Sequence, residues 1–184
     1  MRSRFSTIFI ALCASLLMAT RALPASSEGV DREYAVKAAF IYNFAQFVDW
    51  PADAFESEKA PIVIGILGTN PFDDSLEQAV QGKTVNGRAF KVEHFSTLDE
   101  LRPCQILFVS SSQTPHLQEL FEKLRGKPVL TIGESQEFPW AGGIIRFYLD
   151  ESRVRFEVNP NAAETARLKI SSKLLSLARI FGGK

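Results

Sequence analysis

The side chains best suited to metal binding or acid–base chemistry are few in this chain of 184 residues. It has two histidines, His94 and His116, and two cysteines, Cys13 and Cys104. Neither histidine has a cysteine, a second histidine or an acid at the spacing that metal sites use. We therefore interpret both as neutral surface histidines and predict no metal site and no cofactor.

A possible nucleophile lies in Gly133–Ser135 (GES), which begins like the nucleophile elbow of a serine hydrolase. That motif needs a glycine two residues after the serine, where this chain has Glu137, and a long helix after it. Gly65–Gly68 lacks the G-x-G-x-x-G spacing of a dinucleotide site. The apolar strands also end without the phosphoacceptor aspartate of a receiver domain. We predict no catalytic residues and a protein that is not an enzyme.

The elements around these residues include four helices. Glu33–Val48 is rich in alanine and aromatic residues and has neither glycine nor proline, which predicts a helix apolar around most of its circumference. Asn70-Pro71 and Thr114-Pro115 each place a capping residue before proline, as at the start of a helix. A last helix is expected at about Ala162–Phe181.

Short apolar runs alternate with these helices and predict buried strands. They lie at Pro61–Leu67, Gln105–Val109 and Val129–Ile132, and a further strand, about Arg88–Glu93, follows the turn at Asn86-Gly87. This alternation predicts an α/β fold, with one doubly wound, flavodoxin- or Rossmann-like sheet that is mostly parallel and has helices on both faces.

The end of the chain has a different pattern. Ile145–Leu149 and Val154–Val158 alternate apolar with polar residues across a short polar gap. Alternation of this kind predicts a C-terminal antiparallel hairpin with one face in water. No internal repeat and no long linker divides the chain, so we expect a single domain.

A candidate ligand site follows from the predicted fold, because ligands of open α/β sheets bind beyond the carboxyl ends of the strands. In this chain those ends carry small and polar residues. They are Thr69, Asn70, Ser110, Ser111, Gly133, Glu134 and Ser135. Two interpretations stay open: these residues form ordinary turns and helix caps, or they form a ligand-binding crevice.

The first segment is typical of a secretory signal peptide. Met1–Arg4 carries two arginines, Phe5–Thr20 is uncharged and mostly apolar, and small residues follow in Ala22–Ser27. The apolar run is shorter than the roughly 20 residues that span a bilayer. We predict cleavage after Ala25, which divides the chain into a signal peptide, 1–25, and an exported soluble domain, 26–184.

Cleavage changes the charge and the cysteine count. The leader removes three arginines and no acids, which leaves 18 basic and 21 acidic side chains and a net charge of −3. That charge argues against a nucleic-acid partner. Cys104 becomes the one remaining cysteine, and its place at the start of an apolar run indicates a buried, inert thiol.

Six segments together resemble the YfiR family of periplasmic proteins, and in order they cover essentially the whole mature chain. They are Ala35–Pro51 (AVKAAFIYNFAQFVDWP), Gly65–Phe72 (GILGTNPF), Val129–Phe138 (VLTIGESQEF), Gly142–Phe147 (GGIIRF), Val154–Asn159 (VRFEVN) and Leu168–Ile180 (LKISSKLLSLARI). Each motif alone is weak, but the set in this order is specific.

The resemblance implies an α/β domain, often dimeric, that acts by binding proteins. It implies repression of an inner-membrane diguanylate cyclase through the periplasmic region of that enzyme, with less cyclic di-GMP and less biofilm. An OmpA-like lipoprotein is implied as the factor that draws the repressor away. Redox control through paired cysteines is not carried over, because Cys104 stands alone. Any redox role of Cys104, the identity of the cyclase and the dimer surface stay open.

Two functions from different classes are therefore expected. The first is a regulator that binds a membrane cyclase, and the alternative is a periplasmic small-ligand sensing or solute-binding domain. For the first, we predict partner contacts from the aromatic residues of the first helix and its end, since exposed aromatic side chains dominate binding hot spots. The candidates are Tyr42, Phe44, Phe47 and Trp50.

Overall fold

The computed structural model describes residues 27–182, so the predicted signal peptide lies outside the described residues. Six α-helices span Ser27–Ala45 (α1), Ser75–Val80 (α2), Leu117–Lys123 (α3), Phe138–Ala141 (α4), Pro160–Thr165 (α5) and Ser172–Leu177 (α6). Ten strands span Val48–Asp49 (β1), Ile62–Leu67 (β2), Thr84–Val85 (β3), Arg88–Phe95 (β4), Ile106–Val109 (β5), Leu130–Gly133 (β6), Ile145–Asp150 (β7), Arg153–Val158 (β8), Lys169–Ile170 (β9) and Arg179–Ile180 (β10).

Eight of these strands form one mixed sheet in the order β10-β8-β7-β6-β5-β2-β4-β3. Its five central strands, β4, β2, β5, β6 and β7, are mutually parallel. At the edges, β3 is antiparallel to β4, and β8 is antiparallel to β7 and carries β10. β1 and β9 form a separate antiparallel pair. The predictions of a mostly parallel sheet with flanking helices and a C-terminal antiparallel hairpin are confirmed.

Both faces of the central sheet are buried, because successive residues of a strand point to opposite sides. In β2, Ile62, Ile64 and Ile66 belong to the apolar cluster that packs α1 and α2 against the sheet. Leu67 of the same strand belongs to the second cluster, which holds α3 and α4 on the opposite face. Burial on two sides accounts for the continuous apolar runs of the central strands.

The helix expected at Ala162–Phe181 is wrong, because this segment forms α5, β9, α6 and β10. Arg167 adopts the left-handed region with a φ of 57° just after α5. The hydroxyl of Ser171 then caps α6. Arg179 leaves the helical path, pairs with β8 and donates to Glu157. Sheet pairing and a buried ion pair outweigh the helical periodicity of the sequence here.

Other helix bounds also differ from expectation. α1 ends at Ala45, because Val48 and Asp49 pair with β9. The helix expected from Asn70 begins only at Ser75, since Asp73 has a left-handed φ of 48°. The second proline-containing start forms a 3₁₀ turn that leads directly into α3.

Candidate functional site

The loops after β2 and β5 lie against each other at the carboxyl edge of the sheet. The amide of Thr69 donates to Ser112 Oγ at 3.1 Å, and the Ser112 hydroxyl donates to Ser110 Oγ at 3.3 Å. A β-carbon on Gly68, whose φ is 91°, would lie 2.4 Å from Ser112 Oγ. Glycine thus permits the close approach that brings Thr69 and Ser110 together.

Two other predicted ligand residues, Asn70 and Ser111, belong to turns. Asn70 Oδ1 accepts from the amide of Phe72 at 2.9 Å, and its Nδ2 donates to the carbonyl of Asp73 at 3.1 Å. The carbonyl of Ser111 accepts from the hydroxyl of Thr114 at 2.8 Å. The polar groups of Asn70 are thus occupied by its own loop, as the interpretation of ordinary turns expects.

The loop after β6 carries the remaining three predicted residues. A β-carbon on Gly133 would lie 2.5 Å from the ring of Phe138, so this glycine is needed for packing. Ser135 Oγ is buried and has no hydrogen-bond partner among the described residues. A buried hydroxyl without a partner is unfavourable, which makes Ser135 the most unusual member of the set.

Glu134 belongs to a buried ionic cluster that joins α1 to the end of β6. The ammonium group of Lys37, whose side chain is 4% exposed, contacts the carboxylates of Glu33 and Glu134. The hydroxyl of Tyr34 donates to Glu134 at 3.1 Å, and its ring packs edge-on against Phe72. We call Glu33, Tyr34, Lys37 and Glu134 the α1 cluster.

The electrostatics of the α1 cluster favour a fixed contact over proton transfer. Burial, followed by the negative charge of Glu134, raises the pKa of Tyr34 well above its ordinary value, so the hydroxyl stays a donor. Lys37 Nζ also lies 4.2 Å from the centroid of the Tyr34 ring. Sequence reasoning missed Lys37. Its signal is a lysine inside the apolar stripe of α1, four residues after Glu33.

The predicted partner residue Phe44 is fully buried. Its ring centroid lies 5.7 Å from that of Phe147 and 4.9 Å from that of Phe156. The expectation that Phe44 is exposed is wrong, because β7 and β8 present aromatic rings to the same side of α1. Phe44 belongs to the core of the domain.

The other three aromatic candidates, Tyr42, Phe47 and Trp50, are half-buried. The ring of Tyr42 packs edge-on against Phe90, and Trp50 Nε1 donates to the carbonyl of Gln105 at 3.2 Å. Small or polar residues and one valine occupy the exposed positions of α1 after its first turn, and these are Arg32, Ala35, Val36, Ala39, Asn43 and Gln46. The aromatic rings of α1 therefore pack mainly against the domain itself.

Three cavities in the described part of the chain have volumes of about 660, 650 and 210 Å³. None of the seven predicted ligand residues lines any of them, and Trp50 lines the smallest. Ligand binding at the carboxyl edge stays a prediction.

Metal chemistry and thiol chemistry have no visible basis between residues 27 and 182. In this range, no group of three or more histidine, cysteine, aspartate or glutamate side chains is placed to hold a metal ion. Burial raises the pKa of the Cys104 thiol to about 12, which keeps it protonated at neutral pH. The same range contains no helix that is both long and apolar enough to cross a membrane.

The geometry thus defines an α/β domain whose candidate site consists of hydrogen-bonded turns and a salt-bridged cluster. The chain belongs to the YfiR/HmsC-like family, since the family model of that description matches residues 34–179. The match begins in the α1 cluster at Tyr34 and ends in β10 at Arg179, and it confirms the resemblance found in the sequence motifs. Membership indicates a periplasmic regulator of a diguanylate cyclase, in a family of regulators rather than enzymes.

Proposed function

We propose that the mature chain, residues 26–184, is a non-enzymatic periplasmic repressor of an inner-membrane diguanylate cyclase. It binds the periplasmic region of the cyclase and thereby lowers cyclic di-GMP and biofilm formation. The observation that carries this proposal is the family match over residues 34–179, which includes all five parallel strands. Removal of the signal peptide, 1–25, releases the domain into the periplasm.

The proposal includes two further associations. The repressor forms a homodimer, and an OmpA-like lipoprotein relieves repression by binding it in competition with the cyclase. Both follow from the family resemblance. The net charge of −3 of the mature chain supports protein partners over nucleic acid.

We also propose that the sheet is doubly wound in the flavodoxin-like manner. Numbered in chain order, its five parallel strands lie in the order 2-1-3-4-5, which is that of flavodoxin. Helices pack on both faces, as the separate apolar clusters on the two sides require.

Tyr42 is the best remaining partner contact, with Phe47 and Trp50 beside it. Tyr42 is half-buried on the outer side of α1, and the ammonium group of Lys83 lies 4.3 Å from its ring centroid. An aromatic ring with a polar tip and an adjacent cation suits a polar protein interface.

The test uses a strain in which the gene is deleted and replaced by a tagged copy. Cyclic di-GMP should rise on deletion and fall again on complementation, and the cyclase should co-purify with the tagged protein from solubilised inner membrane. Mass spectrometry should find the mature chain beginning near Ser26 without lipid. Unchanged cyclic di-GMP on deletion, or acylation of Cys13, contradicts the proposal.

A second function, small-ligand sensing at the carboxyl edge, is favoured by the buried and unpartnered hydroxyl of Ser135 beside Glu134. Thermal unfolding of the purified protein should then shift with a polar metabolite such as an amino acid. Ser135→Ala should abolish that shift, whereas Ser111→Ala, in an exposed turn, should retain it. A library of polar metabolites that produces no shift argues against this function.

A further inference from the structure

The outer side of β4 is an open edge of the sheet. β4 pairs with β2 along Phe90–Phe95, but on its other side β3 pairs only with Arg88 and Ala89. No strand within residues 27–182 pairs with the rest of that outer side. Unpaired backbone N–H and C=O groups along such an edge form a template for another strand.

The residues that face outward can be assigned from the hydrogen bonds. The amide of Gly68 donates to the carbonyl of Phe95 at 2.8 Å, so Phe95 faces β2. Backbone direction alternates along a strand, and the pairing of Arg88 with Val85 of β3 confirms that even-numbered residues face outward. The outward residues of the open segment are Phe90, Val92 and His94.

The side chains of this edge alternate as well. Lys91 and Glu93 lie on one face and form an ion pair of 2.7 Å, with the lysine side chain 61% exposed. On the other face, Phe90 and Val92 are half-buried and line the cavity of about 650 Å³ beside α2. The edge thus combines free backbone groups with an apolar side and a charged side.

We infer that this edge pairs with the same edge of a second copy, which continues the sheet across a two-fold axis. This inference rests on the proposed homodimer and names its surface. An axis at Val92 places Lys91 opposite Glu93 of the second copy, and the reverse. About six backbone hydrogen bonds then join the outward residues of the two strands.

Charge selects this register from the alternatives. Only an axis through a residue, and not between two residues, brings outward groups together. An axis at Lys91 would oppose two lysines, and an axis at Glu93 would oppose two glutamates, which is unfavourable for directly opposite residues. The axis at Val92 also leaves the pairing of β3 with Arg88 and Ala89 intact. A second copy therefore matches this edge in backbone, charge and extent.

The first test removes one outward donor. Val92→Pro eliminates the N–H group on the axis and spares the bonds to β2, since proline is tolerated where the N–H faces away from the sheet. Sedimentation equilibrium should find the mature wild-type protein dimeric and Val92→Pro monomeric. Val92→Thr, which keeps the N–H group and the β-branch, is the matched control and should remain dimeric.

The second test reverses the charges. Lys91→Glu or Glu93→Lys alone should weaken the dimer by about tenfold or more, because two like-charged pairs replace two opposite ones. The double variant restores opposite charges in the same register and should regain a dissociation constant close to that of the wild type. Circular dichroism confirms that each variant is folded.

The outcomes separate this inference from the proposed function. A monomeric wild-type protein, or a wild-type dimer that Val92→Pro and the charge reversals leave unchanged, overturns the inference, and neither result bears on repression. A dimer that survives Val92→Pro while the cyclase no longer co-purifies assigns the edge to the cyclase and also overturns it. Repression that fails in a strain with an intact dimer counts against the proposed function alone.

Discussion

The two ends of α1 are held to the domain by opposite kinds of interaction. Toward its carboxyl end, Phe44 is enclosed by the rings of Phe147 and Phe156. Toward its amino end, Lys37 is enclosed by the carboxylates of Glu33 and Glu134. Apolar burial is non-directional and scales with area, whereas a buried charge is tolerated only with its partners in place. The aromatic end should therefore contribute most of the stability, and the ionic end should fix where the helix lies.

The largest effect should come from the aromatic end. Phe44→Ala leaves a cavity among fully buried rings and should lower the free energy of unfolding by about 3–5 kcal/mol, as measured by urea denaturation. Val36→Ala, at a position that is 39% exposed in the same helix, is the control and should change it by less than about 0.5 kcal/mol. Equal losses in both variants would mean that the aromatic packing does not hold α1.

The ionic end should respond differently to single and double changes. Lys37→Met leaves two partly buried carboxylates without their cation and should cost about 3 kcal/mol. Adding Glu134→Gln removes one of those charges, so the double variant should recover part of the loss. A double-mutant cycle from urea denaturation measures this coupling. Strictly additive losses would show that Lys37 acts through packing rather than charge.

Tyr42 tests whether the outer side of the aromatic end serves a partner. Tyr42→Ala should cost about 2 kcal/mol of cyclase binding if it is an anchor, with a smaller loss of stability because the side chain is only half-buried. Cyclic di-GMP in cells and urea denaturation give the two readouts. Asn43→Ala, at the adjacent exposed position, is the control and should change neither. A Tyr42 variant that unfolds without losing repression in its folded fraction assigns the residue to the core.

The smallest effect concerns the hydroxyl of the α1 cluster. Tyr34→Phe removes one hydrogen bond to Glu134 and should cost about 1 kcal/mol at neutral pH.

The pH dependence of the same residue has a defined sign. The pKa of Tyr34 is raised in the folded state above its ordinary value of 10.0. Its contribution to stability is complete below pH 10 and declines as the pH rises above it, since only the unfolded chain then ionises readily. Urea denaturation at pH 8 and pH 10.5 should show a smaller decline for Tyr34→Phe than for the wild type. An identical decline would contradict the assigned environment.

The parts of the fold that were predictable rest on short-range patterns. The continuous runs of β2, β5 and β6 and the alternation of β7 and β8 identified strands to within one or two residues. Asn86 and Gly87 both adopt positive φ, as the predicted turn requires. The helix expected at Ala162–Phe181 failed because β9 and β10 pair with strands far away in the chain, and no local pattern encodes those pairings.

The candidate site was less predictable than the fold. The carboxyl ends of the strands were located correctly, and Thr69 and Ser110 do meet through Ser112. Phe44 was misjudged, because its composition cannot show that rings from β7 and β8 cover it. Lys37 was missed because its partner Glu134 lies 97 residues further along the chain.

The sequence by itself determined the class of fold, the family and the balance of charge, because these depend on local periodicity, on ordered motifs and on composition. The tertiary structure alone decided which aromatic residues of α1 are core, how Lys37 is neutralised and which edge of the sheet stays open. Burial and ion pairing depend on the distances between residues that the fold brings together, and a one-dimensional pattern does not contain those distances.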